Sequence, residues 1–243
     1  MATFSNFTDR LPDPNWGIND AGDGHASSFV EGPGFASVKF TSIQPTAFTR
    51  TNSGRVTTRS IVGQHFKIDI SYNPMTRAQF EPIHNFLLEK RGRMKPFYVV
   101  LPQYSGPQTT TTGTIYVQGS ITSGDSNFLV DGYSGVNSGG GLKPGDIFNF
   151  ADSGNSNHKK AYQIVRVADK DDRLASDSAF NDNSTDRRRF YVVPPVEKDV
   201  TDNSTITYAN PQFRVVQTKD NNEYSLGTNN LYSFSLTLEE AQP

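Results

Sequence analysis

The sequence predicts a mainly β chain with one α-helix, built as a split body that carries a small inserted β-barrel. Three observations predict it. Ser, Thr and Asn supply 64 of the 243 residues, about a quarter, alongside 17 Phe and 10 Tyr; aromatic and β-branched residues suit pleated surfaces, while Asn, Ser and Gly suit turns. A single stretch, just after residue 75, places apolar residues at helical period. The last strand pattern lies at the extreme C-terminus, where it needs a partner formed early, and this favours an insertion over two sequential domains.

Residues 1–35 read as an extended N-terminal arm or loop. Gly17 to Gly34 holds five Gly and one Pro, too little periodicity to bury much alone. Trp16, the only tryptophan, is its natural anchor, either against a partner subunit or as part of a loop capping the chain's own core. Strand patterns then run over Ala36 to Phe40 and Gly54 to Ser60. From Gln64 to Tyr72, Phe66, Ile68, Ile70 and Tyr72 alternate with His65, Lys67, Asp69 and Ser71, the period of a half-buried strand. Asn73 and Pro74 turn the chain out of it.

Thr76 stands three residues before Gln79, a capping-box spacing, and Phe80, Ile83, Phe86 and Leu87 follow at helical period. The helix is expected over about 76–91. Gly92 stops it, because a left-handed C-terminal residue suits glycine, and Lys90, Arg91 and Arg93 complement the helix dipole. Pro82 requires either a start nearer Phe80 or a kink. Pro96 to Pro102 then reads as a short buried strand, so residues 64–102 form a strand, helix, strand unit.

Gln103 to Gly113 has the composition of a linker. Short strands follow at Thr114 to Val117, Asn127 to Val130, Asp146 to Phe150, Ala161 to Val167 and Phe190 to Val193, separated by polar loops that include 134–141 and 169–186. This spacing suggests a small barrel over 105–204. Thr205 to Tyr208, Gln212 to Thr218 and Tyr232 to Leu238 close the chain. Residues 36–104 plus 205–243 are therefore expected to form the body.

Composition removes several function classes. Lys and Arg number 23 against 25 Asp and Glu, net −2 with pI near 6.1, so no broad electrostatic footprint for nucleic acid or an acidic membrane exists. No stretch approaches the roughly 18 apolar residues of a membrane helix, and no charged-then-apolar leader opens the sequence. Zero Cys excludes disulfides, thiolate zinc sites and cysteine nucleophiles.

Chemistry is equally sparse. His25, His65, His84 and His158 form no pair at metal-ligand spacing. Asp169 to Asp172 lacks the glycine and terminal glutamate of a calcium loop, and Gly139 to Gly141 is not followed by the Lys-Ser/Thr of a phosphate loop. No catalytic residue, cofactor or metal is expected. Arg187, Arg188 and Arg189 precede a strand, where they fit edge-strand protection or phosphate contacts. Pro144 and Gly145 force a tight turn whose backbone Asp146 can hold.

The run Gly63 to Thr76, with its aromatic strand and Tyr72-Asn73-Pro74-Met75-Thr76 turn, leads through Phe80, Pro82 and Leu87 to Arg91-Gly92-Arg93 and the Phe97 to Pro102 strand. This order resembles tail structural proteins of tailed bacteriophages, of the distal tail or baseplate-junction type. Val130-Asp131-Gly132, Leu142 to Phe148, Ala161 to Ile164, Val193-Pro194-Pro195, Asn210 to Val215 and Tyr232 to Glu240 continue it in the same order. The resemblance implies a tail-tube-like β-sandwich or split barrel with the small barrel inserted. It also implies a non-enzymatic virion protein, assembled in the host cytoplasm, that forms a ring, commonly sixfold, at the distal end of the tail tube. Its partners would be copies of itself, the tube, and baseplate hub or tail-tip proteins. DNA would meet it only in transit through the channel, and no membrane insertion is expected.

On that basis Trp16, Arg77, Arg91, Arg93, Arg187, Arg188 and Arg189 are candidates for a subunit interface; for the three arginines flanking the helix, helix-end electrostatics within one chain is the alternative. Asn73, Pro74, Gly92, Pro144, Gly145 and Asp146 are candidate structural turns. A competing function is a carbohydrate-binding module, with Tyr104, Tyr116, Tyr133 or Tyr162 of the barrel stacking on sugars. A hydrolase would need paired carboxylates at a cleft, and the sequence nominates none.

Overall fold

The computed structural model describes residues 9–14, 32–61, 63–109, 113–133, 141–156, 158–168 and 187–241. The chain forms two compact units, Met1–Val99 with Arg214–Gln242, and Val100–Phe213 with Pro243. Trp16, His25, most of the expected arm, and the 134–140 and 169–186 loops lie outside the described residues. No helix of the described residues is long and apolar enough to cross a membrane.

The first unit is built on a sheet. β1 (Phe35–Ile43), β4 (His65–Tyr72), β14 (Tyr232–Glu240), β12 (Gln212–Gln217) and β5 (Phe97–Val100) lie in that order, and β13 (Tyr224–Leu226) pairs with β14 off this path. The alternation in β4 does what its period demands: Phe66, Ile68, Ile70 and Tyr72 are all buried, while their neighbours are half-exposed. Register with β14 sets Ile70 opposite Leu236 and Ile68 opposite Leu238, so one apolar stripe crosses both strands.

Helix α1 (Arg77–Lys90) buries Phe80, Ile83, Phe86 and Leu87. Phe86 meets Phe97 of β5 edge to face, centroids 5.2 Å apart, and Phe80 stacks on Tyr232 at 4.7 Å. The Thr76 backbone N–H donates to Gln79 Oε1 at 3.1 Å, satisfying a donor at the helix start. Pro82 does not move that start to Phe80. It sits in the second turn, buried on the core face, where the donor it lacks would have reached Ala78. At the other end, Arg91 already has φ 55° and Gly92 follows at 63°, so the left-handed stop begins one residue earlier than the glycine.

The described N-terminal residues lie over this unit's own core. Leu11 is 1% exposed and its N–H donates to Tyr98 O at 2.8 Å, while Tyr98 N donates to Asp9 O. The strap thus runs along β5, whose place at one end of the sheet leaves that edge in need of a partner. Lys90, 3% exposed at its side chain, reaches Asp9 Oδ1 at 2.7 Å, and Arg10 pairs with Asp13 at 2.7 Å.

The expected lone strand from Gly54 is half of a hairpin. β2 (Thr46–Arg50) and β3 (Val56–Ser60) pair antiparallel as a separate two-stranded sheet, and all ten of their residues are exposed. With nothing buried on either face, β2 carries no apolar alternation, and that is why the sequence hid it.

The second unit is a closed barrel of β10 (Arg188–Val193), β7 (Asn127–Asp131), β6 (Ile115–Gln118), β11 (Thr205–Thr207), β8 (Ile147–Ala151) and β9 (Ala161–Ala168), in that order around the wall. Phe128, Phe148, Phe150, Tyr162 and Phe190 fill it, ring against ring at 5.2–6.2 Å. The chain is mainly β with one helix and a small barrel, as its composition and periodicity indicate. One assignment changes. Thr205–Thr207 is a wall strand between β6 and β8, not part of the body, because without it the barrel would keep two open edges.

Candidate functional site

The residues singled out by sequence fall into three separate places, and in none do titratable groups converge as a catalytic site requires. Among the described residues no group of His, Asp and Glu could hold a metal ion.

At the helix of the first unit, Arg77 Nε donates to Glu81 Oε1 at 2.5 Å, one turn along. The hydrogen bond and charge of Glu81 hold this exposed guanidinium above its ordinary pKa. Arg91 closes the helix, its N–H donating to Leu88 O at 3.2 Å. Arg93 donates through Nε to Thr218 O at 2.9 Å and through its terminal nitrogen to the same oxygen. Arg77 and Arg93 therefore have partners within the chain. Gly92 is held by space as well as by φ: a Cβ there would lie 2.9 Å from Asp220 Oδ1 and 3.0 Å from its Cα. Asn73 and Pro74 are exposed, and the isolated bridge Met75–Tyr232 anchors the turn they open.

The second place is the turn that begins the β8 strand. Asp146, 5% exposed, accepts the N–H groups of Lys143 at 2.7 Å and Gln108 at 3.0 Å. Gly145 has φ 101°, donates to Ile164 O at 2.7 Å, and lies where a Cβ would strike Gln108 Nε2 at 2.8 Å. Pro144 O accepts Gln108 Nε2. This carboxylate is fully occupied in holding backbone.

The third is the start of β10. Arg188 lies over the Tyr133 ring at 5.0 Å, Arg189 donates to Asn127 Oδ1 at 2.7 Å, and Arg187 Nε is 3.8 Å from Asp131. The triple arginine is thus bound down onto β7 and its end, so it offers no free row of cations to phosphates.

The second unit also carries an open pocket of about 400 Å3, whose mixed polar and apolar lining includes Ile121, Val200, Thr122, Asp152, Asp199 and Thr201. Burial pushes the Asp152 carboxyl up, but hydrogen bonds from the Thr201 hydroxyl and N–H, from Gly154 N–H and from Ser204 outweigh it and hold the group below its ordinary value. Asp199 accepts Ser123 N–H at 2.8 Å. Both acids brace loops, and Asp152, held below its ordinary value, has no proton to give up at pH 7.

Among the described residues the four candidate barrel tyrosines do not form one stacking surface. Tyr162 is completely buried, which corrects its assignment as a stacking residue: its hydroxyl lies 2.6 Å from His158 Nε2 and accepts Glu197 N–H at 3.0 Å. Tyr133 packs on Phe190 and Tyr104 on Phe213, and Tyr116, 39% exposed, has no aromatic neighbour among the described residues.

What the sequence did not single out is where exposed apolar surface gathers. Nine large hydrophobics are exposed among the described residues, and five lie on two short ribbons of the first unit. Phe48 (61%), Val56 and Ile61 belong to or adjoin the β2–β3 hairpin, and Tyr224 and Leu226 to β13. The only prior signal was negative: strand-forming residues without an alternating polar face.

Residues 22–104 match the family model described as "Distal tail protein pb9, A domain, N-terminal". The match covers β1 to β5 and the helix, about a third of the chain, and stops before the barrel. No curated protein matches the sequence. The family match bears out the resemblance to distal tail proteins of tailed phages, carried by the strand, turn, helix and strand of 64–102.

Proposed function

We propose, from the similarity of residues 22–104 to a phage distal tail protein, that this chain is a non-enzymatic structural protein of a phage tail. It forms a ring, commonly of six copies, at the distal end of the tail tube and joins the tube to the baseplate or tip hub. The single observation that carries the reading is that match, over the segment that contains the helix and all but the C-terminal strands of the body. In this proposal residues 36–104 with the C-terminal strands make the ring, and the barrel is an insertion within it.

Two structural features support assembly over catalysis. The β5 edge of the sheet is covered by the chain's own residues 9–11, whereas β1 at the opposite end pairs only with β4 among the described strands. An edge left open on a long strand is a site for another chain. Asp146, Asp152 and Asp199 of the barrel meanwhile accept backbone N–H groups. DNA passes through such a ring without a sequence-reading contact, in keeping with arginines at β10 that are already engaged.

The test is a cryo-electron map of intact tails. The expected result is a closed ring of this chain coaxial with the tube at its distal end. A single off-axis copy, or virions complete without the protein, would overturn the proposal.

A further inference from the structure

The exposed β2–β3 hairpin needs a partner, and the chain carries a surface that fits it. Phe48 faces Thr58 and Arg50 faces Val56 across the ribbon, so Phe48, Arg50 and Val56 share one face. A two-stranded ribbon is marginal in water by itself, and this one buries none of its ten strand residues. From Gln44 to Gln64 there are three arginines, Arg50, Arg55 and Arg59, and no Asp or Glu. None of the three has a side-chain hydrogen bond or ion pair in the described structure. Setting them aside leaves 20 Lys and Arg against 25 Asp and Glu, net −5 for the rest of the chain. The hairpin is a cationic arm on an anionic molecule.

β13 is its complement. Tyr224 and Leu226 are 51% and 54% exposed, exposed Asp220 and Glu223 precede them, and the strand pairs with β14 alone. Its other edge is open among the described strands. An apolar ribbon bearing arginines and an apolar edge bearing carboxylates match in polarity, in charge and in backbone valence. Hairpin against hairpin would set six arginines together, which argues against a twofold contact.

We propose that the hairpin of one copy seats on the Asp220–Leu226 segment of a second copy, Arg50 and Arg55 meeting Asp220 and Glu223 while Phe48 and Val56 cover Tyr224 and Leu226. The two patches differ, so the contact is head-to-tail, the kind that builds a ring where the rotation between copies closes. The inference rests on the ring reading and names the surfaces that make the ring.

The experiment uses the full chain and three variants: Arg50→Glu with Arg55→Glu, Asp220→Lys with Glu223→Lys, and all four together. Association is read by sedimentation and native mass spectrometry, with circular dichroism to verify folding. Each charge reversal is expected to weaken association at least about tenfold, and the fourfold variant to regain most of it, because swapped charges attract again. The chain has no Cys, so Thr58→Cys supplies one thiol on the Phe48 face; its maleimide labelling should slow at least about tenfold on assembly if that face is covered. Undiminished association of the hairpin variant, no recovery in the fourfold variant, or a thiol equally reactive in the ring would overturn the docking while leaving the ring reading intact. Loss of tube-protein or DNA binding with rings preserved would assign the hairpin to that other partner and also overturn it. A wild-type chain that stays monomeric alone and in tails would remove both.

Discussion

His158 gives the barrel a pH dependence whose sign and size follow from its surroundings. The ring is 1% exposed, packed against Phe150 at 5.3 Å and Tyr162 at 5.6 Å. Tyr162 Oη accepts the N–H of Glu197, so its own proton is directed to His158 Nε2. The neutral ring therefore carries its proton on Nδ1, which has no partner in the described structure. Burial lowers the pKa to about 4; the pull of Asp152 is opposed by Lys198 and Lys160. The folded value lies below the unfolded 6.5, so the stabilisation is whole above pH 6.5 and drains away as pH falls towards 4.

A displacement from 6.5 to about 4, at 1.36 kcal/mol per unit, amounts to about 3 kcal/mol, of which about 2 kcal/mol is gone by pH 5. Asp152 does not contaminate this window, because a carboxyl held below 3.8 begins to lose its stabilisation only at lower pH. The assay is urea unfolding at pH 8, 6 and 5, read through hydrogen exchange of β9 peptides so that the barrel is followed by itself. Wild type should lose about 2 kcal/mol from pH 8 to 5, and His158→Gln, whose amide oxygen still accepts from Tyr162, should lose almost none. Parallel profiles for the two proteins, or a His158 titration midpoint near 6.5 by NMR, would refute the reasoning.

Other substitutions test the first unit and the turn. Gly92→Ala should cost about 1–3 kcal/mol by urea unfolding, since φ 63° and the Asp220 backbone both oppose a Cβ. Asp9→Ala should cost about 2–3 kcal/mol by leaving the Lys90 ammonium buried and alone, while Lys90→Met should be nearly neutral; equal losses would show that the ion pair is not what holds the strap. Tyr72→Phe should leave stability unchanged or raise it by up to about 1 kcal/mol, because the Tyr72 hydroxyl is buried without a partner and burial, with Asp13 nearby, pushes its pKa up. Asp146→Ala should cost about 2–3 kcal/mol in thermal unfolding through two orphaned backbone N–H groups, and a neutral result would mean the turn holds without it.

How legible the fold was depended on whether burial left a pattern in the sequence. β4 was plain because four apolar residues alternate over eight positions and all four are buried. The helix was plain for the same reason, and its capping residues fixed the start that Pro82 obscured. The barrel strands were readable one by one from aromatic clusters such as Phe148 and Phe150. Their closure was not readable, because Thr205–Thr207 is a three-residue strand with a single buried side chain, no different in sequence from a short strand in the body. His158 and Tyr162 stand four apart, but spacing carries no sign that both are buried. β2 and β13 left no period to read, because every residue in them is exposed; β3, exposed as fully, was legible only through its β-branched run of Val56, Thr57 and Thr58.

The arginines sharpen the same point. Arg77, Arg93 and Arg187 to Arg189 drew notice because they cluster or flank a helix, yet clustering is also what lets a cation find partners within its own chain, and the structure gives all five of them such contacts. Arg50, Arg55 and Arg59 are spread through a hairpin of Thr, Ser and Asn with no acid in reach along the sequence. Dispersal kept them inconspicuous and left them unneutralised. In a chain of net charge −2, a patch that stays cationic after folding brings together two like copies only where a different, acidic patch receives it. The asymmetry of the proposed contact, more than the number of charges in it, is what would permit a ring instead of a dimer.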